Sequence, residues 1–178
     1  MYENLNELKN VCASCEKCAL GGTRTNLVFG VGNPQAEILL VGEGPGENED
    51  LQGEPFVGKA GQLLDKYLNV IALDRSKNVY IANIVKCRPP NNRNPYEDEA
   101  SKCIIYLKEQ IELIKPTYII CLGSVASNYL FSEEIKITKE RGSWRLYNGV
   151  NVMLTYHPSF LLRSPEKKRE TWKDLQEV

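Results

Sequence analysis

Four short apolar runs, each followed by a break, constrain this chain most. Glu37-Ile38-Leu39-Leu40-Val41-Gly42 reads as a buried strand ending in a glycine-rich turn. Asn78 to Val85, Thr117 to Leu122 and Asn151 to Tyr156 read as three more strands. Helical patterns lie between them. Residues 60–72 place Leu63, Leu64, Tyr67, Leu68 and Ile71 at helical spacing. A second helix has Asn94 as N-cap, Pro95 at its first position, Glu97 as the acid of a capping box, and a stop before Pro116. Short helices are expected over residues 3–12 and after Gly123. Strands alternating with helices predict an α/β fold: a single-domain, three-layer sandwich over residues 1–178, with a central, mostly parallel four-stranded sheet. Such sheets bind ligands outside the carboxyl ends of their strands. Gly42 to Gly46, the loop from Lys86 and the loop from His157 all emerge there.

The longest apolar runs, Ile38 to Val41 and Tyr118 to Leu122, are too short to span a bilayer. The start, Met1-Tyr2-Glu3-Asn4, shows no basic stretch followed by an apolar one, so a cytoplasmic chain is expected. There, six cysteines point to metal or redox chemistry rather than to disulfides. Cys15 and Cys18 form a C-x2-C pair, and Cys87 and Cys103 can close a four-thiolate set from a loop and the helix after it. Cys12 extends the pattern to Cys12-x2-Cys15-x2-Cys18, so either pair can serve. Cys121, inside an apolar strand, reads as buried and unliganded. Spacing alone does not choose zinc over iron–sulfur.

Gly42-Glu43-Gly44-Pro45-Gly46-Glu47-Asn48-Glu49-Asp50 follows the first strand. Its glycines allow close backbone approach to a ligand. Its four acids argue against a phosphate and suit a held water or a developing positive charge; a plain acidic surface loop is the alternative. The third glycine comes one residue early for a dinucleotide fingerprint. Gly53 to Ala60 resembles a P-loop, but Ala60 stands where a magnesium-binding hydroxyl belongs. No nucleotide cofactor is expected. Phe56 offers a stacking platform for a flat ring, or else caps the following helix. Asn83 lies inside an apolar strand and must be hydrogen-bonded, to backbone or to a base edge. His157, the only histidine, follows a strand end and is fixed by Pro158. Phe160-Leu161-Leu162-Arg163 sets apolar side chains beside a cation, as a wedge into a base stack would. The net charge is −1, yet nine Lys or Arg face three Glu between Lys136 and Lys173, a distribution that can hold a phosphate backbone.

Taken in order, these blocks resemble the iron–sulfur uracil-DNA glycosylases often called family four. The resemblance runs from Cys15 to the C-terminus. It rests on Gly42-Glu43-Gly44-Pro45-Gly46 with Glu49-Asp50, on Gly53-x-Pro55-Phe56-Val57-Gly58-x-Ala60-Gly61, on Asn83-Ile84-Val85-Lys86-Cys87-Arg88-Pro89-Pro90 with Asn92-Arg93, and on His157 to Arg163. It implies a [4Fe–4S] cluster on Cys15, Cys18, Cys87 and Cys103, with Cys12 outside the set. It implies uracil excision from DNA, leaving an abasic site; a monomer is the default expectation. The uracil pocket would comprise Gly42, Glu43, Gly44, Phe56, Asn83 and His157. Glu47 is the candidate for activating water and for shielding the C5 edge of the ring, with Glu43 and Asn92 as supports. Leu161 would fill the space left by the flipped base, and Arg163 would hold phosphate. Related enzymes that trap a covalent intermediate carry a basic insert with a histidine after the third cysteine; Pro89-Pro90-Asn91-Asn92-Arg93 stands there instead, which excludes that branch.

Overall fold

A computed structural model describes residues 1–178. The chain runs α1 (Leu5–Ala13), β1 (Val31–Gly32), β2 (Ile38–Gly42), α2 (Glu47–Gln52), α3 (Lys59–Val70), β3 (Val79–Asn83), α4 (Glu97–Ile114), β4 (Tyr118–Leu122), α5 (Ser124–Phe131), α6 (Ile137–Glu140), β5 (Trp144–Tyr147), β6 (Val150–Thr155), α7 (Pro158–Arg163) and α8 (Lys168–Gln176). One six-stranded sheet takes the order β1-β3-β2-β4-β6-β5. Its four central strands are the four apolar runs, and they pair in parallel.

The sheet exceeds the four expected strands by two antiparallel edges. β1 is two residues long, below what a pattern can reveal. β5 is half-exposed and returns into β6 through Asn148 and Gly149, both at positive φ, 46° and 83°. Asn-Gly is the residue pair that such a tight hairpin turn demands.

Strand alternation sends side chains to two faces. Leu39, Val41, Ile119 and Cys121 pack with α1, α4 and α5 through Leu8, Leu107, Ile111 and Leu130. Leu40, Ile120 and Leu122 pack on the other side with Leu64 and Leu68 of α3 and Leu175 of α8. Cys121 is fully buried, as its apolar strand implied. No helix is long and apolar enough to cross a membrane.

Helix α4 starts later than expected. Tyr96 is its N-cap, and Glu99 rather than Glu97 reaches back, accepting from Tyr96 N at 2.8 Å. Asn94 and Pro95 stay in the preceding loop because Arg93 draws Glu99 there with a bidentate pair at 2.8 and 2.9 Å. The acidic stretch after Gly46, for which a plain surface loop was the alternative reading, forms the short helix α2 and ends at Gly53 with φ 77°.

Leu40 has 0% exposure in the sheet centre, whereas Leu146 on the edge strand is 68% exposed. Leu40→Ala is expected to lower unfolding free energy by about 2–5 kcal/mol. Leu146→Ala should change it by no more than about 0.5 kcal/mol. Urea denaturation midpoints check both.

Candidate active site and cysteine chamber

The carboxyl ends of β2, β3 and β6 open into one cavity of about 290 Å³. Glu43 and Gly44 follow β2, Asn83 ends β3, and His157 stands two residues beyond β6. Gly42 pairs with Asn83 in the ladder. A Cβ on Gly42 would lie 2.5 Å from Asn83 Oδ1 and 2.6 Å from Phe56 Cζ, so only glycine fits between the amide and the ring. Asn83 is 2% exposed, and its Oδ1 has no hydrogen-bond partner within the chain. A buried acceptor without a partner in a cavity wall is a site waiting for a donor.

Phe56 forms the facing wall, its ring 5.4 Å from the His157 ring. Its φ of 55° lies in the left-handed region. Glu49 holds the residues after it: Oε2 accepts from Val57 N at 2.9 Å and Gly58 N at 3.0 Å, while Oε1 accepts from Gly46 N at 3.0 Å. Two N–H groups of the P-loop-like stretch Gly53 to Lys59, those of Val57 and Gly58, are therefore engaged by a carboxylate of the same chain.

His157 Nδ1 accepts from Ser159 N at 3.0 Å and lies 2.7 Å from Ser159 Oγ. An accepting Nδ1 leaves the proton of the neutral ring on Nε2. Burial, aided by the Arg163 charge, pulls the His157 pKa from 6.5 to about 4. The ring is a neutral N–H donor at physiological pH. Gly123 stands behind it with φ 93°, where a Cβ would come within 2.9 Å of His157 Cβ.

Glu43 lines the cavity, and burial lifts its pKa to about 7. Asn92 lines it too. It has φ 57°, and its Oδ1 accepts from Arg88 Nε at 2.8 Å. Arg163 is exposed at the rim.

Two expected residues fall elsewhere. Glu47 is exposed at the start of α2 and does not line the cavity. Residues two apart on a helix face different ways, and Glu49 is the one turned inward. Leu161 has 0% exposure because, with Pro158 one turn earlier, it lies on the inner face of α7 towards α3. Leu162 is the exposed apolar side chain, at 42%. Of the basic residues counted near the C-terminus, Arg141 pairs with Asp174 and Arg145 with Glu133 and Glu140, so neither is free. Glu49 and Ser159 went unassigned in the sequence. Their signals were a carboxylate three residues after Gly46 and a hydroxyl two residues after a histidine.

Behind β3 a second chamber is lined by Cys15, Cys18, Cys87 and Cys103, and also by Cys12, which is 1% exposed. None forms a disulfide. No three His, Cys, Asp or Glu groups are arranged as ligands of a single metal ion. Arg24 Nη1 donates to Cys87 Sγ at 3.0 Å, and Lys86 N donates to Cys103 Sγ at 3.3 Å. Arg24, Lys86, Lys17 and Lys102 all border the chamber. Converging thiols, N–H donors to sulfur and surrounding cations fit an anionic, thiolate-bound metal group.

The His157 geometry is checked by ¹⁵N NMR. An Nε2-protonated neutral ring is expected at pH 7, titrating near pH 4. Removing the lowering influence of Arg163, as in Arg163→Ala, should move the midpoint upward. A ring already charged at pH 6 would contradict this assignment.

Residues 29–176 match the family model of the uracil DNA glycosylase superfamily. A type-4 uracil-DNA glycosylase of Archaeoglobus fulgidus is 44% identical over 184 residues, covering 99% of this chain and 92% of that protein. One from Thermotoga maritima is 46% identical over 170 residues, covering 92% and 87%. A type-5 enzyme of Pyrobaculum aerophilum is more distant, at 30% over 144 residues, covering 72% and 63%. With a cavity at the strand ends, an unpartnered buried amide facing a fixed aromatic ring, and this similarity over nearly its whole length, the chain belongs to the uracil DNA glycosylase superfamily and, within it, to the type-4 enzymes.

Proposed function

We infer that this chain is a uracil-DNA glycosylase, which hydrolyses the bond between uracil and deoxyribose in base excision repair and leaves an abasic site. The observation that carries the reading is the unpartnered Asn83 Oδ1 in the cavity wall. Uracil offers an N–H beside a carbonyl on its pairing edge, which a side-chain amide matches with one acceptor and one donor. Cytosine offers an amino group where uracil has that carbonyl, and the amide then meets donor with donor.

The base leaves the duplex at a cost of a few kcal/mol and stacks on Phe56. Leu162, exposed on α7, fills the vacated space in place of the buried Leu161. Arg163 at the rim holds phosphate. As the bond breaks, uracil gathers negative charge, and the neutral His157 Nε2–H donates to its carbonyl next to the departing nitrogen. Glu43 takes the proton of the attacking water. Its pKa near 7 makes it a base at neutral pH, and its carboxylate also favours the cationic sugar. Asn92, beside Gly46, steadies that water. The proposed working unit is a monomer.

Cys15, Cys18, Cys87 and Cys103 would hold a [4Fe–4S] cluster, with Cys12 as a non-ligand neighbour. Held by these four cysteines, such a cluster would tie together the N-terminal segment, the exit of β3 and helix α4. The Arg24 and Lys86 N–H groups would stabilise the thiolates of Cys87 and Cys103.

Purified protein should release uracil from a labelled oligonucleotide, giving an alkali-labile site absent from the thymine control. No cleavage of the uracil strand overturns the reading. Glu43→Gln should slow single-turnover excision by about 10²–10⁴-fold, whereas Glu47→Gln should leave it unchanged. Because a base works deprotonated, the wild-type rate should rise with pH through about 7 and level off above. That rise should vanish in Glu43→Gln.

The cluster has its own readout. Protein purified without air should be brown, with broad visible absorbance and iron in proportion. Cys87→Ser should lose both; Cys12→Ser should keep them. Colour lost in Cys12→Ser but kept in Cys15→Ser would assign the ligands differently.

A further inference from the structure

Phe56 holds a conformation that a bulky side chain avoids. Its φ is 55°, and such a conformation persists only where its surroundings over-determine it. Three contacts do so here. Glu49 binds the N–H groups of Val57 and Gly58. Gly61 lies so close that any Cβ would strike the Phe56 carbonyl. The third contact is Arg75, on the connection from α3 to β3. Its Nη1 donates to Pro55 O at 2.8 Å and its Nη2 to Phe56 O at 2.6 Å, while Nε donates to Asp65 Oδ1 of α3 at 2.8 Å.

Arg75 does not line the cavity. Its side chain is 17% exposed, and all three of its contacts are internal. We propose that Arg75 is a positioning residue for base recognition: its guanidinium, anchored by Asp65, grips the two carbonyls that flank the left-handed bend and so sets the Phe56 ring opposite His157. This rests on the uracil reading above, in which that ring stacks on the base. The fork matters as much as the charge. A guanidinium presents several N–H groups in one plane and can meet two successive carbonyls and a carboxylate together; a lysine ammonium delivers its donors from one point. Without the grip both carbonyls lose a partner, and the bend can relax towards an extended conformation. The ring then leaves its place without any loss of a group that touches the base.

The test compares Arg75→Lys and Arg75→Ala, each alone and combined with Phe56→Ala, reading both excision of uracil from an oligonucleotide and the Kd for free uracil. Each single Arg75 variant should lower kcat/KM by about 10- to 100-fold, and weaken free-uracil binding in parallel. In the Phe56→Ala background the same Arg75 change should add less than about twofold, because its effect passes through the ring. Losses that multiply, or an Arg75→Lys chain with undiminished uracil affinity, overturn the proposal. If Arg75→Ala does not fold, Arg75→Lys and Asp65→Asn carry the comparison. A wild-type chain that leaves uracil in DNA overturns the functional reading beneath it. A wild type that excises uracil beside an unimpaired Arg75→Lys overturns this proposal alone.

Discussion

Lys86 is fully buried, and its ammonium lies between the two working regions of the molecule. Its Nζ donates to Asn83 O at 2.7 Å and to Gln110 Oε1 at 2.6 Å, and Gln110 Nε2 donates in turn to Phe29 O at 2.9 Å. A buried charge costs several kcal/mol unless its donors are met, and burial draws this one's pKa down to about 8. The same residue's backbone N–H reaches Cys103 Sγ. One short exit from β3 thus carries the backbone of Asn83, a buried cation and the thiol of Cys87. A displacement of that segment would disturb pocket and chamber together.

The pocket divides its work by element. Strand ends supply the groups that must not move: Asn83 in the ladder and His157 just beyond β6. Loops supply the groups that need unusual backbone, Phe56 and Asn92 at positive φ. Each loop is tied down by a side chain of the same chain, Glu49 and Arg75 for one and Arg88 for the other. The histidine ring is neutral, and Glu43, lining the same cavity, has its pKa lifted to about 7. Burial causes both, moving an acid and a base in opposite directions.

The central strands were legible because strands buried on both faces leave continuous apolar runs. So were Asn83, Phe56 and His157, each adjoining such a run or a glycine break. The edges were not. β1 is two residues long, and β5 alternates exposure at the rim, although its Asn148-Gly149 turn was present to be read. Two placements away from the cavity share one cause. Glu47 against Glu49, and Leu161 against Leu162, are choices of helical face over one or two residues. A six-residue helix has too few turns for periodicity to decide them. Packing decided them, through Glu49 on the Phe56 loop and the burial of Leu161 on α7, which neighbours α3. Capping of α4 by Glu99 rather than Glu97 followed from Arg93, a partner six residues away that no local rule includes.

The left-handed bend at Phe56 has a consequence for the encounter with DNA. It is set when the protein folds, before any duplex arrives, so on the reading proposed above the aromatic wall needs no rearrangement when a base enters. The pace of capture then falls to the nucleic acid, in the ease with which each base leaves its stack. Mispaired bases do so more cheaply than paired ones. A uracil opposite guanine, the lesion left by a deaminated cytosine, therefore presents itself sooner than one opposite adenine. A ring held still in the protein lets the helix's own weak points set the order of repair.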